Sequence, residues 1–325
     1  MSRLKPFAFV IGLLVIVAQC PSFADESYPS RPIRLVVGFG AGSSADVVAR
    51  IVGNKLGALL GQTIVVEDRP GASSMLATNA VARANTDGYT LLMATIAATI
   101  NTTLMPGKGP DFEKELVPIA LIGSLPEILV VNPTLEVHSI KDLIALAKQK
   151  PDALSYGASG VGSGPHLATE LFKQMAGIKM TGVLYPGSAQ TVTDLIAGRI
   201  QVMFSPASTV LGLINAGKVR ALATTQSKRA SVAPDLPTIA ESGLPGFNTG
   251  LWFGIVAPAG TPKPIVDKIS KAVNEALKDP DLLKQLHVQG LDVLGGSPDD
   301  FGRFIKSETQ RWANIIHEMD AAKKK

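Results

Sequence analysis

Ile33-Arg34-Leu35-Val36-Val37-Gly38-Phe39-Gly40-Ala41-Gly42-Ser43-Ser44-Ala45-Asp46 decides how this chain is read. A short β-branched run leads through a glycine-rich turn into a helical pattern from about Ser44 to Leu59. That unit builds α/β folds. Glycines let the backbone approach a ligand closely and turn its N–H groups toward it. The start of a helix carries partial positive charge, so this loop suits a carboxylate or a phosphate. Ser43 and Ser44 add hydroxyl donors. Part of the pattern has a purely structural account: Ser43 with Asp46 fits a capping box, which explains Asp46 without a ligand.

Outward from this loop the alternation continues. Thr63–Val66 reads as a second strand, Met75–Ala84 as a helix and Tyr89–Met93 as a third strand, while 105–114 is a Pro/Gly/charged loop. A second α/β run starts near Ile128-Leu129-Val130-Val131. It predicts helices at Leu143–Lys148, Leu167–Met175 and Thr191–Ala197. Its strands are Leu154–Tyr156, Gly182–Tyr185, Gln201–Phe204 and Val219–Ala223. Pro and Gly punctuate 231–250, after which Trp252–Val256 is a strand. Ile265, Ile269, Val273 and Leu277 then recur every four residues behind Pro262, which marks a helix with one buried face. A last helix is expected near Pro298–Met319. Sheets built this way are expected to be largely parallel. The order of units implies a discontinuous first domain, 25–126 with 247–325, around a second domain, 127–246. The two crossings form a hinge over a ligand cleft.

Two further loops repeat the strand–turn–helix pattern. One is Gly157-Ala158-Ser159-Gly160-Val161-Gly162-Ser163-Gly164-Pro165-His166, and the other is Tyr185-Pro186-Gly187-Ser188. Facing one cleft, such loops would clamp an anion with backbone N–H groups and hydroxyls, without Arg or Lys. The expected ligand-binding set is Phe39, Gly40, Ala41, Gly42, Ser43 and Ser44 from the first loop, with Thr95 after the third strand. Ser159, Gly162, Ser163 and His166 complete it in the second loop, and Tyr185, Gly187 and Ser188 in the third. Phe39 and Tyr185 are expected to shape the pocket wall. His166 falls in a first helical turn, where a lone histidine is ordinarily a packing or capping group, so no catalytic role is assigned to it.

Other chemistries find little support. Four scattered histidines and a single cysteine, Cys20, give no metal-ligand spacing. Ser159 lacks the Gly-x-Ser-x-Gly frame of a nucleophile elbow, and no phosphate loop of the Gly-x-x-x-x-Gly-Lys type is present. Gly40-Ala41-Gly42-Ser43-Ser44-Ala45 does match a dinucleotide fingerprint, with Glu67 ending the next strand. That acid lies 27 positions after Gly40, somewhat beyond the usual spacing. No basic stripe interleaved with aromatics suggests nucleic acid.

The first residues place the protein. Arg3 and Lys5 precede an apolar run, Phe7–Ala18, and Pro21-Ser22-Phe23-Ala24 offers small residues before a cut at Asp25. This is the pattern of a secretory signal, and it is too short to span a bilayer comfortably. Cys20 is then lost with the leader, and the exported chain has neither disulfides nor thiols. It must hold together by burial, which 46% hydrophobic residues allow. Without the leader, 29 basic residues face 27 acidic ones.

At its loops the chain resembles the Bug-type, TctC-like receptors, the extracytoplasmic solute-binding proteins of tripartite tricarboxylate transporters. The likeness runs from Tyr28-Pro29-Ser30-Arg31-Pro32-Ile33 through the first loop to Asp46-Val47-Val48-Ala49-Arg50. It continues through Val66-Glu67-Asp68-Arg69-Pro70-Gly71-Ala72 and Asp87-Gly88-Tyr89-Thr90-Leu91-Leu92. Gly162-Ser163, His166-Leu167-Ala168, Gly187-Ser188-Ala189 and Thr193-Asp194-Leu195 follow. So do Gly217–Ala223, Pro237–Gly246, Trp252-Phe253-Gly254 and Ala257–Pro262. The resemblance implies an α/β, two-lobed periplasmic binding protein of type II, Venus-flytrap-like, with a hinge of crossing strands. It implies a periplasmic monomer without cofactor or enzymatic activity. Such a receptor captures a di-, tri- or aromatic carboxylate between the first loop and Gly162-Ser163 and passes it to membrane permease subunits. An exported dinucleotide-dependent oxidoreductase and a sensory receptor acting on a membrane kinase are the alternatives.

Three positions depart from the family pattern. The first loop usually reads Pro-Phe-Pro-Pro-Gly-Gly, and losing its prolines loosens the backbone. Pro186 replaces a common lysine. Ser205 replaces a frequent aspartate near the hinge, and with no acid there to meet an ammonium group, the ligand is not expected to be an amino acid.

Overall fold

In β1 (Ile33–Val37), Ile33, Leu35 and Val37 pack into one apolar cluster and Val36 into another. A strand apolar on both faces needs cover on both faces, and helices supply it. The computed structural model describes residues 28–323; the leader and its cut after Ala24 lie outside them. After β1 come α1 (Ser44–Leu60), β2 (Ile64–Asp68), α2 (Met75–Ala82), β3 (Thr90–Thr95), α3 (Ile96–Leu104), α4 (Phe112–Glu115) and β4 (Leu116–Leu125). The chain continues with β5 (Glu127–Val131), α5 (Ile140–Gln149), β6 (Ser155–Ala158), α6 (Gly164–Ala176), β7 (Thr181–Leu184), α7 (Ser188–Ile196), β8 (Val202–Pro206), α8 (Ala207–Asn215) and β9 (Arg220–Thr224). It closes with β10 (Leu251–Pro258), α9 (Lys263–Ala276), α10 (Pro280–Val288), β11 (Asp292–Val293) and α11 (Pro298–Lys323).

Two sheets result, one ordered β11-β4-β10-β3-β1-β2 and the other β7-β6-β8-β5-β9. Pairs β1–β2, β1–β3, β6–β7 and β6–β8 are parallel. The pairs made by β10, β11 and β5 are antiparallel. The sheets are therefore mixed, not largely parallel as the sequence pattern suggests. The antiparallel pairs gather on the strands that carry the chain between sheets. Pro126 alone separates β4 from β5, and Leu125, the last residue of β4, pairs in register with Leu251, the first of β10. The two crossings therefore run side by side. Thr249 N–H donates to Thr225 O (2.9 Å) and Thr225 N–H to Glu127 O (3.0 Å), which ties the return crossing to the outgoing one.

Strand alternation assigns the cores. On one face of the first sheet α1, α9 and α10 bury Val48, Val52, Leu56, Ile269, Val273 and Leu286. On the other, α2, α3 and α11 bury Ala77, Ile100, Phe301 and Trp312. In the second sheet Leu129 and Val131 face α5 and α6, while Ile128 and Val130 join the large cluster of the first sheet. One apolar core thus passes through the crossing.

β4 and α3 go unannounced in the sequence. Pro118 and Gly123 argue against a strand, yet Pro118 sits where the β4–β10 register shifts between Ile255 and Val256, so a missing donor is accommodated at the irregularity. In α3, β-branched Ile and Thr are weak helix formers. Burial of Ile96, Ala97, Ala98 and Ile100 outweighs that preference. α8 and α10 were likewise not anticipated.

Gly254 in β10 lies under the ring of Phe301, where Trp252, Phe301 and Phe304 cluster with centroids 5.6–6.5 Å apart. A Cβ there overlaps the Phe301 ring. Gly254→Ala is expected to destabilise the fold by about 1–3 kcal/mol, the cost of overpacking a core, read as a lower denaturation midpoint with little change in m.

Candidate functional site

Five strand-to-helix turns open toward one place. β1 leads into α1, β3 into α3, β6 into α6, β7 into α7 and β8 into α8; the first residues of α1, α3, α6 and α7 line a single cavity, and Pro206, the N-cap of α8, joins them. It holds about 490 Å³ of space free of protein atoms and is open on one side. The carboxyl ends of α/β strands are where small-molecule sites form. Helix α1 contributes Ser43, Ser44 and Ala45; α3 contributes Thr95, Ile96 and Ala97; α6 contributes Ser163, Gly164 and Pro165. Ser188 comes from α7 and Pro206 from the start of α8. Among the described residues lining it, none is charged.

That absence makes the helix ends decisive. First-turn amides have no intrahelical acceptor, and each helix start carries roughly half a positive charge. Some of these amides are capped: Ser43 Oγ accepts from Asp46 N–H (3.3 Å), Thr95 Oγ1 from Ala97 N–H (3.4 Å), and Ser163 Oγ from His166 N–H (3.4 Å). Capping leaves the earlier amides, including those of Ser44, Ala45 and Gly164, for another acceptor. Hydroxyls of Ser43, Ser44, Thr95, Ser159, Ser163 and Ser188 ring the cavity, and Phe39, Ile96, Leu251 and Phe253 supply apolar wall. The chemistry is that of a site for an anionic head on an apolar body.

The lobes touch across the cleft. Ser44 Oγ and Ser208 Oγ lie 3.1 Å apart, and Ser73 Oγ donates to Val161 O. Ala72, Ser73 and Ser74 all have positive φ (46°, 51° and 73°), an unusual run for residues with side chains. Asn101 Nδ2 braces this run by donating to Ser73 O (2.8 Å).

Seven of the sequence-predicted positions line the cavity: Phe39, Ser43, Ser44, Thr95, Ser159, Ser163 and Ser188. The other seven lie elsewhere. Gly40, Ala41 and Gly42 form the exposed outer side of their loop, and Gly42 N–H is spent on Asp46 Oδ2 (2.8 Å). Gly162 N–H donates to His166 Nδ1 (3.3 Å), and its Cα faces Leu104 across the cleft. Tyr185 turns its ring into the core, and its hydroxyl donates to Asp194 Oδ2 (2.8 Å). Gly187 caps α7. Glycine loops that close on themselves thus shape the turns, while the helix starts behind them face the cavity. Glu67, the acid of the dinucleotide fingerprint, is held by Arg34 and Arg69 (3.4 and 2.7 Å).

Sequence reasoning missed Ile96, Leu251 and Phe253, because neither α3 nor the exact start of β10 was foreseen. It also missed Glu127. This first residue of β5 is fully buried, and neither carboxyl oxygen finds a hydrogen-bond partner among the described residues. Its Oε1 lies 3.5 Å from where a Gly164 Cβ would stand, beside Ile96 and Leu251. Burial pushes its carboxyl up to about 8. The premise that no acid stands near the hinge is therefore corrected: Ser205 is buried in β8, but Glu127 stands in register opposite Pro206.

The family model described as "Tripartite tricarboxylate transporter family receptor" matches residues 48–321. The chain belongs to this receptor family. It is 37% identical over 316 residues to the protein BugT of Bordetella pertussis (strain Tohama I), covering 96% of this chain and 97% of BugT. Among solved structures, R. palustris Rpa4515 with adipate superposes with a TM-score of 0.86 at 37% identity, covering 90% of this chain and 98% of that one. The periplasmic binding protein BugD superposes at 0.85 with 32% identity, covering 90% and 99%. The fold is that of a two-lobed periplasmic binding protein.

Ser163 Oγ both caps α6 and donates to Gly160 O (2.9 Å). Ser163→Ala is expected to cost about 1 kcal/mol of stability, the usual value of a lost N-cap, measured by denaturant unfolding of the unliganded protein.

Proposed function

We propose that this protein is an exported receptor, cut after Ala24, that captures a small organic carboxylate in the cavity between its sheets. It then delivers the carboxylate to the membrane subunits of a tripartite tricarboxylate-type transporter. The observation that carries the reading is the convergence of four helix N-termini, those of α1, α3, α6 and α7, on one cavity with no charged lining residue. Such a site attracts an anion through oriented amides, and each charge-assisted hydrogen bond contributes about 1.5–3 kcal/mol before ordering costs. A carboxylate meeting the α1 and α3 ends gains further bonds when the α6 and α7 ends close over it. Closure expels water and strengthens each bond. The apolar wall of Phe39, Ile96, Leu251 and Phe253 takes the hydrocarbon part. Rpa4515 with adipate supplies the ligand class by similarity. The protein acts as a monomer and performs no reaction on its ligand. The cavity offers hydroxyls and amides, with no charged or imidazole side chain among its described lining residues to activate them.

The test is a thermal-shift and calorimetric screen of residues 25–325 against adipate, malate, citrate, benzoate, aspartate and NAD. Binding to the native state alone raises the melting temperature. One class of carboxylate is expected to shift the protein and NAD to leave it unchanged; a shift with NAD only would end the receptor reading. Ser159 and Ser188 each offer a hydroxyl to the cavity, so Ser159→Ala and Ser188→Ala are expected to weaken the responding acid by about 1 kcal/mol, roughly fivefold, without lowering stability.

A further inference from the structure

We propose that Glu127 makes this cavity select fully acidic ligands over aminated ones: it stays protonated beside the bound anion, so carboxylate capture and Glu127 protonation are linked. The inference deepens the carboxylate reading and rests on it. Glu127 is wholly buried with both oxygens unpartnered, and Oε1 lies against Gly164, the first residue of α6. Ile96, the first residue of α3, and Leu251 flank the same spot, and all three line the cavity. The carboxyl therefore stands one layer behind the wall, beside two of the helix ends that attract the anion. Ionised, it would compete for the same partial positive charges and repel the ligand. Neutral, it leaves those ends to the ligand.

Nothing charged nearby compensates an ionised Glu127. Neither α3, β8 nor β10 carries an ionisable residue, and the only one in β9, Arg220, donates to Leu135 and Val137 carbonyls. On α6, His166 Nδ1 accepts from Gly162 N–H, while Glu170 is held by Tyr156 and Lys173 (2.6 and 2.7 Å). Desolvation alone raises the Glu127 carboxyl, and an anion in the cavity raises it further. An ammonium-bearing ligand would act in reverse, drawing the proton off and binding more tightly as pH rises.

The experiment is calorimetry of adipate, benzoate and aspartate at about pH 6 and about pH 9, with wild type and E127Q. The amide keeps the shape and cannot ionise; Glu127→Met, similar in length and uncharged, replaces it if the amide does not fold. With the carboxyl titrating near 8, wild-type affinity for the acid that binds is expected to fall about tenfold between these conditions, and the variant's to stay level. An equal pH response in both proteins, or aspartate binding to wild type at about pH 6 as tightly as the acid that responds, would overturn the proposal and leave the receptor reading standing. If no acid binds either protein, the carboxylate reading fails and this one with it. Unfolding of the unliganded proteins reports the charge state separately. Between pH 4.5 and about 8 the folded protein holds a proton that the unfolded chain has released. Wild-type stability is therefore expected to fall with rising pH relative to E127Q and to level off above that window. Parallel curves would mean that Glu127 is already ionised when folded, and would overturn the proposal.

Discussion

The side-by-side crossing of β4–β5 and β10 is the constraint on which the rest depends. With one residue between β4 and β5, and Leu125 in register with Leu251, the two sheets are joined through interior strands. The carboxyl ends of β1 and β3 then face those of β6, β7 and β8 across a gap. Each of these strands leads through a short turn, or directly, into a helix, and the starts of α1, α3, α6 and α7 line that gap. The binding chemistry follows from topology before any side chain is considered.

The loops divide the labour. Glycine turns spend their own N–H groups internally, Gly42 on Asp46 and Gly162 on His166, which fixes the angle at which each helix begins. Serine and threonine caps satisfy the third amide of α1 and α6 and the second of α3. What remains for a ligand is a small number of amides and hydroxyls held by rigid elements. Preorganised donors need no rearrangement to meet a negative charge, whereas a flexible lysine would lose side-chain entropy on doing so.

Glu127 is the local exception to economical burial. A fully buried carboxyl without a partner costs free energy even when neutral, since its polar atoms have left water without compensation. Its place at the hinge, behind the cavity wall, is where such a cost can be tied to a ligand, because the charge in the cavity and the proton on Glu127 sense each other through low-dielectric protein. The family-based argument from Ser205 looked for an acid at one position of β8. The acid is one strand away, in register opposite Pro206.

The sequence by itself determined the α/β class and the strand–turn–helix units. These are local properties: β-branched runs, glycine turns, a cap at Ser43, and four-residue apolar spacing in α9. It also named seven of the cavity's residues, five of which are caps or first residues of helices. Only the tertiary structure decided the rest. β4 carries Pro118, and α3 is rich in β-branched residues, so local preference pointed away from both; register shift and burial override it. Whether Tyr185 faces a ligand or the core, and whether Glu127 is an exposed strand start or a sealed acid, depends on which surfaces the crossing brings together. Contacts between residues dozens to hundreds of positions apart leave no periodic trace in the chain.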